Sequence, residues 1–316
     1  MKAAVITDIG GVPRTEMVSD PSLPGESKVL IRVEATALNS IDLHIAAGHH
    51  RAGRPRLPYI PGMESVGVVV DGPDAGLRVR AMTAAGLAPG VEGGLAELQV
   101  VDRAACVPVP DGLSSEAAAA IGVVGTAADL ALRKAALKPG ESVLVLGATG
   151  PFGNAFLQLA KRTGAQRVIA AARHRDRLAR LTHADAVAVL GEEPLPQQLE
   201  QHGGPVDLVI DPVWGQWAAP ALRCLKPGGR YLNVGAAAGD GLPFSVELLR
   251  AAQLTLIGFS SAGARLPDVL ASYERVAALA LAGSLSLPTN TFPLDEAEHA
   301  WTAQTSSPGA KIVVVA

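Results

Sequence analysis

A chain of 316 residues has room for two domains, and with 48% apolar and 18% charged residues it reads as globular rather than disordered. A net charge of −3 gives no electrostatic footprint for nucleic acid, and only Cys106 and Cys224 are present, too few for a disulfide framework or a thiolate zinc knuckle. The opening Met1-Lys-Ala-Ala-Val-Ile-Thr-Asp8 meets charge too early for a signal peptide, and the apolar stretches 117–128 and 277–282 fall short of a membrane span, so a soluble cytoplasmic protein with no membrane partner is expected.

Residues 1–112 read as short strands between turns. Residues 28–34 alternate with period two, 65–70 form a fully apolar strand, and 77–82 alternate again. Proline and glycine clusters at 21–25, 58–62 and 108–112 punctuate them, which predicts an antiparallel, barrel-like β domain. After Gly112 the pattern changes. Ser114-Ser-Glu116 offers an N-cap and an acidic first turn to an alanine-rich helix. Strand candidates at 142–147, 167–172, 186–190, 206–210, 230–234 and 254–259 then alternate with helical segments, the pattern of a doubly wound parallel sheet. In the tail, 266–281 is an amphipathic helix, 295–302 a shorter one, and 311–315 a last strand able to return to the first domain.

The segment Val143-Leu-Val-Leu-Gly147-Ala-Thr149-Gly150-Pro151-Phe152-Gly153 carries the most chemistry. An apolar strand ends in a glycine-rich turn, and 154–163 continue with helical periodicity up to Gly164. Glycines let backbone approach a pyrophosphate, and N–H groups at a helix N-terminus face its charge. The spacing is G-x-x-G-x-x-G, and such glycines also occur without a ligand where a turn needs positive φ. The next strand, 166–172, ends about 20 residues after the turn, where a ribose-reading residue belongs.

Further patterns give the chain a resemblance to a known family: Ala37-Leu-Asn39-Ser-Ile-Asp42, Pro61-Gly-Met-Glu64-Ser-Val-Gly67, Gly93-Gly-Leu-Ala-Glu97, Lys138-Pro-Gly-Glu-Ser-Val-Leu-Val145, Leu225-Lys-Pro-Gly-Gly-Arg230 and Gly309-Ala-Lys-Ile-Val313. In their order and spacing they resemble the zinc-independent quinone oxidoreductase branch of the medium-chain dehydrogenase/reductase superfamily, over nearly the whole chain. The resemblance implies an α/β protein with a GroES-like β-barrel catalytic domain (1–112 and 260–316), a doubly wound Rossmann domain (113–259), and a cleft between them.

Zinc members of the superfamily place thiolate, imidazole or carboxylate ligands in the cleft. Here Asn39 and Met63 stand at two of those places, and amide and thioether are poor Zn²⁺ ligands, so no metal is expected. His49 and His50, adjacent on a loop, read as solvated. Ala172 stands where NAD enzymes carry Asp or Glu, and Arg173-His174-Arg175-Asp-Arg177 follows. Arginine there holds a 2′-phosphate, so the expected cofactor is NADPH, with Arg173 first, then Arg177, and His174 beside them. The alternative is a basic, solvated helix start. Through the resemblance Thr126, Gly235 and Phe259 also line the cofactor, and the small Ala128 widens the pocket. Trp214 either covers the cleft or is core. For the chemistry, Asn39 would donate to a carbonyl oxygen, and Asp42 is either catalytic or a loop-building group. His44 stands where many relatives carry Tyr and is either a proton donor or simply solvated. Arg51, Arg54 and Arg56 either steer an anionic substrate or are solvated. The expected activity is NADPH-dependent hydride transfer to a quinone, enone or related small-molecule carbonyl. The alternatives are a non-catalytic NADPH-binding regulatory protein and a zinc-type alcohol dehydrogenase. The apolar edge strand 254–259 suits pairing with its copy in a homodimer.

Overall fold

The computed structural model describes residues 1–22, 25, 27–71, 74–241 and 246–316; Leu23 and Pro24, within the expected turn at 21–25, lie outside the described residues. Contacts divide the chain into two units, Met1–Val123 with Leu266–Ala316, and Val124–Arg265. Among the described residues no helix is long and apolar enough to cross a membrane.

The first unit is built on one mixed sheet. Lys28–Ala37 is its central strand, pairing antiparallel with Glu64–Asp71, Leu98–Asp102 and Lys311–Val315. The sheet continues through Arg78–Met82 to Cys106–Pro108 on one side and through Lys311–Val315 to Thr289–Pro293 on the other. The strands within residues 1–112 pair antiparallel as expected, while that last pair runs parallel, so the sheet as a whole is mixed. The reason is the helix Ala297–Thr305, which carries the chain back so that both strands point the same way. The expected strand at the C-terminus does return to this sheet. Lys2–Val5 and Arg14–Met17 form a separate hairpin pair, too short and irregular in pattern to be read from sequence. Ser114 caps the alanine-rich helix Ser115–Ala120 as expected, its hydroxyl accepting the Ala117 N–H at 3.2 Å. This helix belongs to the first unit, where Ser115 Oγ donates to Glu34 at 2.5 Å.

The second unit is the doubly wound sheet that the alternation predicts. Among the described residues six parallel strands run Ala186–Val189, Arg167–Ala172, Ser142–Leu146, Val206–Asp211, Leu225–Asn233 and Thr255–Gly258 in spatial order. Ser142–Leu146 is buried at every position, as a central parallel strand must be. Thr255–Gly258 is an edge, with Leu256 exposed.

A buried charge cluster fixes the loops of the first unit. Arg80 and Glu64 side chains are both fully buried and meet at 3.1 Å. Glu64 also accepts the Asn39 amide at 2.8 Å and the Val123 N–H at 2.7 Å, while Lys311 Nζ stands 3.7 Å away. Lys311 donates to the Leu38 carbonyl at 2.8 Å and to Asn39 Oδ1. Arg80 lies 5.0 Å from the ring centre of Tyr273, a cation–π contact. The helix Gly122–Ala135 starts directly over Glu64, and a Cβ at Gly122 would collide with its Oε2. Removing Arg80 takes from the buried Glu64 carboxylate the closer of its two cations and leaves it only Lys311. Arg80→Met is therefore expected to destabilise the protein by about 3–5 kcal/mol, read as a lower urea midpoint.

Asp42 lies on the same cluster and is buried. Desolvation pushes its carboxyl up to about 6, against the pull of the Asn39 and Met63 N–H groups and Lys311. In the folded chain Asp42 therefore holds its proton at pH values where the unfolded chain has released it. Its contribution to stability is greatest below about pH 4 and falls as pH rises through about 6. The stability difference between wild type and Asp42→Asn should shrink by about 2–3 kcal/mol between pH 4 and 7. Denaturant titrations across that range would show it, and a pH-independent difference would refute it.

Candidate functional site

The glycine-rich turn uses each glycine for a different steric reason. Gly147 has φ +59°, and a Cβ there would sit 2.9 Å from Val213 Cγ2. A Cβ on Gly153 would lie 2.5 Å from the Gly147 oxygen and 2.7 Å from Ala148 Cα, so only glycine lets the helix start this close to the strand end. Gly150 is the N-cap of the helix Pro151–Arg162 and donates its N–H to Gly147 O at 3.0 Å. Pro151 occupies the first helical position, so the helix begins three residues before the periodicity at 154–163 suggests. The Phe152 and Gly153 N–H groups lie in the first turn, where no helical acceptor exists. Thr149 and Phe152 are partly exposed beside them. A backbone packed this tightly, with first-turn amides at a helix N-terminus, fits a dinucleotide pyrophosphate.

The basic segment follows the neighbouring strand. Arg173 and His174 are exposed, and His174 is the N-cap of the short helix Arg175–Leu178. Arg177 is half-buried, and Arg175 is paired with Glu192. Glu192 belongs to the rim of a cavity of about 610 Å³, lined chiefly by Leu190, Pro194, Leu195, Trp217 and Pro220. Sequence reasoning missed this cavity. Its walls come from two segments far apart in the chain, and the clustering of Pro194, Pro196 and Pro220 around Trp217 is visible only after folding.

Gly235 follows the strand Leu225–Asn233. A Cβ there would stand 2.9 Å from the Pro212 oxygen, and the Asn233 side chain donates to its carbonyl at 2.7 Å. Phe259, just after Thr255–Gly258, is half-buried and donates its N–H to Asn233 O at 2.9 Å. The turn at 147–153, Arg173–Arg177, Gly235 and Phe259 all follow the C-terminal ends of parallel strands, the edge where such sheets bind ligands. Thr126 and Ala128 are buried in the helix Gly122–Ala135. Trp214 is partly buried against the core of this unit.

In the first unit Asn39, Asp42 and His44 share one short helix, Ser40–Ala46, with Asn39 as its cap, which was not expected from the sequence. The signal was present: Asn39 and Asp42 have the spacing of a reciprocal cap, and Asp42 Oδ2 accepts the Asn39 N–H at 2.8 Å. Both amide hydrogens of Asn39 are engaged, with Ala37 O at 3.1 Å and Glu64 Oε1 at 2.8 Å, and its oxygen accepts from Lys311. Asp42 Oδ1 accepts the Met63 N–H at 2.9 Å. Asn39 thus has no amide hydrogen left for a substrate carbonyl, and both oxygens of Asp42 serve the backbone. His44 differs, being exposed in the last turn of the helix. Arg51, Arg54 and Arg56 are exposed on the following loop, and the stem of Arg54 packs over Gly48.

The zinc-ligand positions hold Asn39, whose side chain is fully hydrogen-bonded, and Met63. Burial pushes the Cys106 and Cys224 thiols up to about 11 and about 12. Among the described residues no group of three or more His, Cys, Asp or Glu side chains is placed to hold a metal ion. This donor set does not fit zinc.

Residues 25–111 match the alcohol dehydrogenase GroES-like domain family, and residues 151–275 match the zinc-binding dehydrogenase family. The quinone oxidoreductase of Thermus thermophilus, described with its NADPH complex, aligns over 100% of both chains with a TM-score of 0.80 and 34% identity. A 2-methylene-furan-3-one reductase of Solanum lycopersicum is 31% identical over 78% of this chain and 65% of its own. A zinc-type alcohol dehydrogenase-like protein of Schizosaccharomyces pombe is 31% identical over 75% of this chain and 71% of its own. Several curated relatives are matched over only 49–65% of their length. A barrel-type sheet followed by a doubly wound sheet with its glycine turn, each matched to its own family, and a full-length structural counterpart make this chain a member of the medium-chain dehydrogenase/reductase superfamily.

Proposed function

We propose that this protein is an NADPH-dependent oxidoreductase that delivers hydride to a quinone, an enone or a related activated carbonyl without zinc. The observation that carries this reading is the tight glycine turn at 147–153, next to a strand that ends in buried Ala172 and exposed Arg173. No carboxylate stands there to claim a ribose 2′-hydroxyl or to repel a 2′-phosphate. The apolar cavity by Leu190 and Trp217 suits an adenine ring, and the relatives named for quinone and furanone reduction support the substrate class.

The bound nicotinamide supplies the hydride. The chain's own groups do the rest. First-turn amides of 152 and 153 bind the pyrophosphate, and Arg173 with Arg177 binds the 2′-phosphate. Thr126, Gly235 and Phe259 shape the remaining dinucleotide surface. His44, exposed and carrying a donor, supplies the proton to the reduced product. Asn39 and Asp42 hold the His44 helix in place, a narrower role than donation to substrate. The reading needs no zinc: the Asn39 side chain is fully hydrogen-bonded, and Met63 offers only a thioether, a poor zinc ligand. A panel of quinones, enones and aldehydes with NADPH tests the activity, and absence of turnover across the panel would refute it.

Arg173→Ala should weaken NADPH binding about 10- to 150-fold, about 1.5–3 kcal/mol, with little change for NADH. Calorimetric titration of both dinucleotides would measure it. We also propose a cytoplasmic homodimer joined through the edge strand Thr255–Gly258, whose Leu256 is 40% exposed. Sedimentation should give twice the chain mass for wild type and the single-chain mass for Leu256→Lys.

A further inference from the structure

The turn after Val206–Asp211 carries a tryptophan in a backbone conformation that ordinarily demands glycine. Trp214 has φ 55° and ψ −142°. A side chain in that region is strained, and the strain persists only where the surroundings over-determine it. Here they do. Asp211 is fully buried, and its Oδ1 accepts the N–H groups of Val213 at 2.7 Å and Trp214 at 2.8 Å. Its Oδ2 accepts the Tyr231 hydroxyl at 2.5 Å, and the Tyr231 ring meets the indole edge-on at 6.0 Å.

The indole then reaches across to the next loop. Nε1–H donates to the Asp240 carbonyl at 3.2 Å, and the Ala238 N–H donates to Val213 O at 2.7 Å. Gly215 approaches Ala238 so closely that a Cβ would collide with its carbonyl. The 212–215 turn and the 235–240 segment follow the C-terminal ends of adjacent parallel strands. Val213 occupies the space that a Cβ on Gly147 would need. A strained residue, a buried carboxylate and an indole hydrogen bond thus preset two loops beside the glycine turn. A fold needing only a turn at this place would be better served by glycine.

We propose that Trp214 is a positioning residue for dinucleotide binding: it clamps segment 235–240, with Gly235, against the 212–215 turn before NADPH arrives. The proposal rests on the NADPH reading above. A preset loop does not have to be ordered at the moment of binding, so affinity carries the benefit of the clamp. Glycine at 214 relieves the backbone strain and removes the clamp, which separates stability from binding. Phenylalanine keeps a ring beside Tyr231 and removes only the bond to Asp240.

The test is calorimetric titration of NADPH into wild type, Trp214→Gly and Trp214→Phe, with melting temperatures and amide exchange recorded on the dinucleotide-free proteins. Trp214→Gly should melt within a few degrees of wild type, exchange faster at Ala238, and bind NADPH about tenfold more weakly. Trp214→Phe should lose about threefold. Unchanged affinity in Trp214→Gly overturns the assignment, as does a loss of affinity without faster exchange at Ala238. If the glycine variant does not fold, Trp214→Phe decides: a threefold loss supports the clamp and unchanged affinity overturns it. Wild type that takes up no NADPH overturns the cofactor reading, whereas wild type that binds and variants that bind equally well overturn the role of Trp214 alone.

Discussion

The carboxylate of Glu64 is the fixed point of the first unit. It is buried on the strand Glu64–Asp71 and gathers the neighbouring strand through Arg80, the capping loop through Asn39, the start of the long helix through the Val123 N–H, and the last strand through Lys311. Two cations close to one buried anion, with Asp42 nearby as a second, make a cluster in which each member is tolerable only because the others are present. Gly122 is the steric complement, since no side chain fits between the helix start and the carboxylate. The short helix that exposes His44 is held by this cluster through Asn39 and Asp42.

The second unit solves its positioning problem without charge. Its site-forming turn is set by the absence of side chains at 147, 153 and 235, where a Cβ would strike backbone or a neighbouring side chain. Close backbone approach leaves first-turn amides without helical acceptors, and their direction is set by the helix itself. The exception is the Asp211–Tyr231–Trp214 group. There a buried carboxylate organises a turn with neutral donors, and burial raises its pKa above the ordinary value.

Much of this was legible in the sequence because the signals are local. Strand–helix alternation gave the parallel sheet, and the glycine spacing with Pro151 located the turn. Ser114 capped its helix as read, and Leu266–Leu281 formed over its full amphipathic length. What escaped depends on contacts distant in sequence. Thr289–Pro293 is exposed at four of its five positions, so no apolar period marks it, and its parallel pairing with Lys311–Val315 has no local signature. Asn39 carries the right chemistry for a carbonyl donor, but its hydrogens are claimed by Ala37 and by Glu64, 25 residues further on. The cap spacing of Asn39 and Asp42 was present and would have pointed to the structural role.

The two modes of construction imply different sensitivities. A loop held by buried charges responds to proton uptake, because Asp42 and Lys311 are each pushed by burial toward their neutral forms. A turn held by missing side chains has nothing to titrate. On the reading of this chain as a reductase, acid therefore acts first on the scaffold of the proton-donating helix, while the pyrophosphate cradle keeps its shape. On the same reading, dinucleotide binding would rest on the glycine turn and proton delivery on the buried charge cluster, two separate physical constraints.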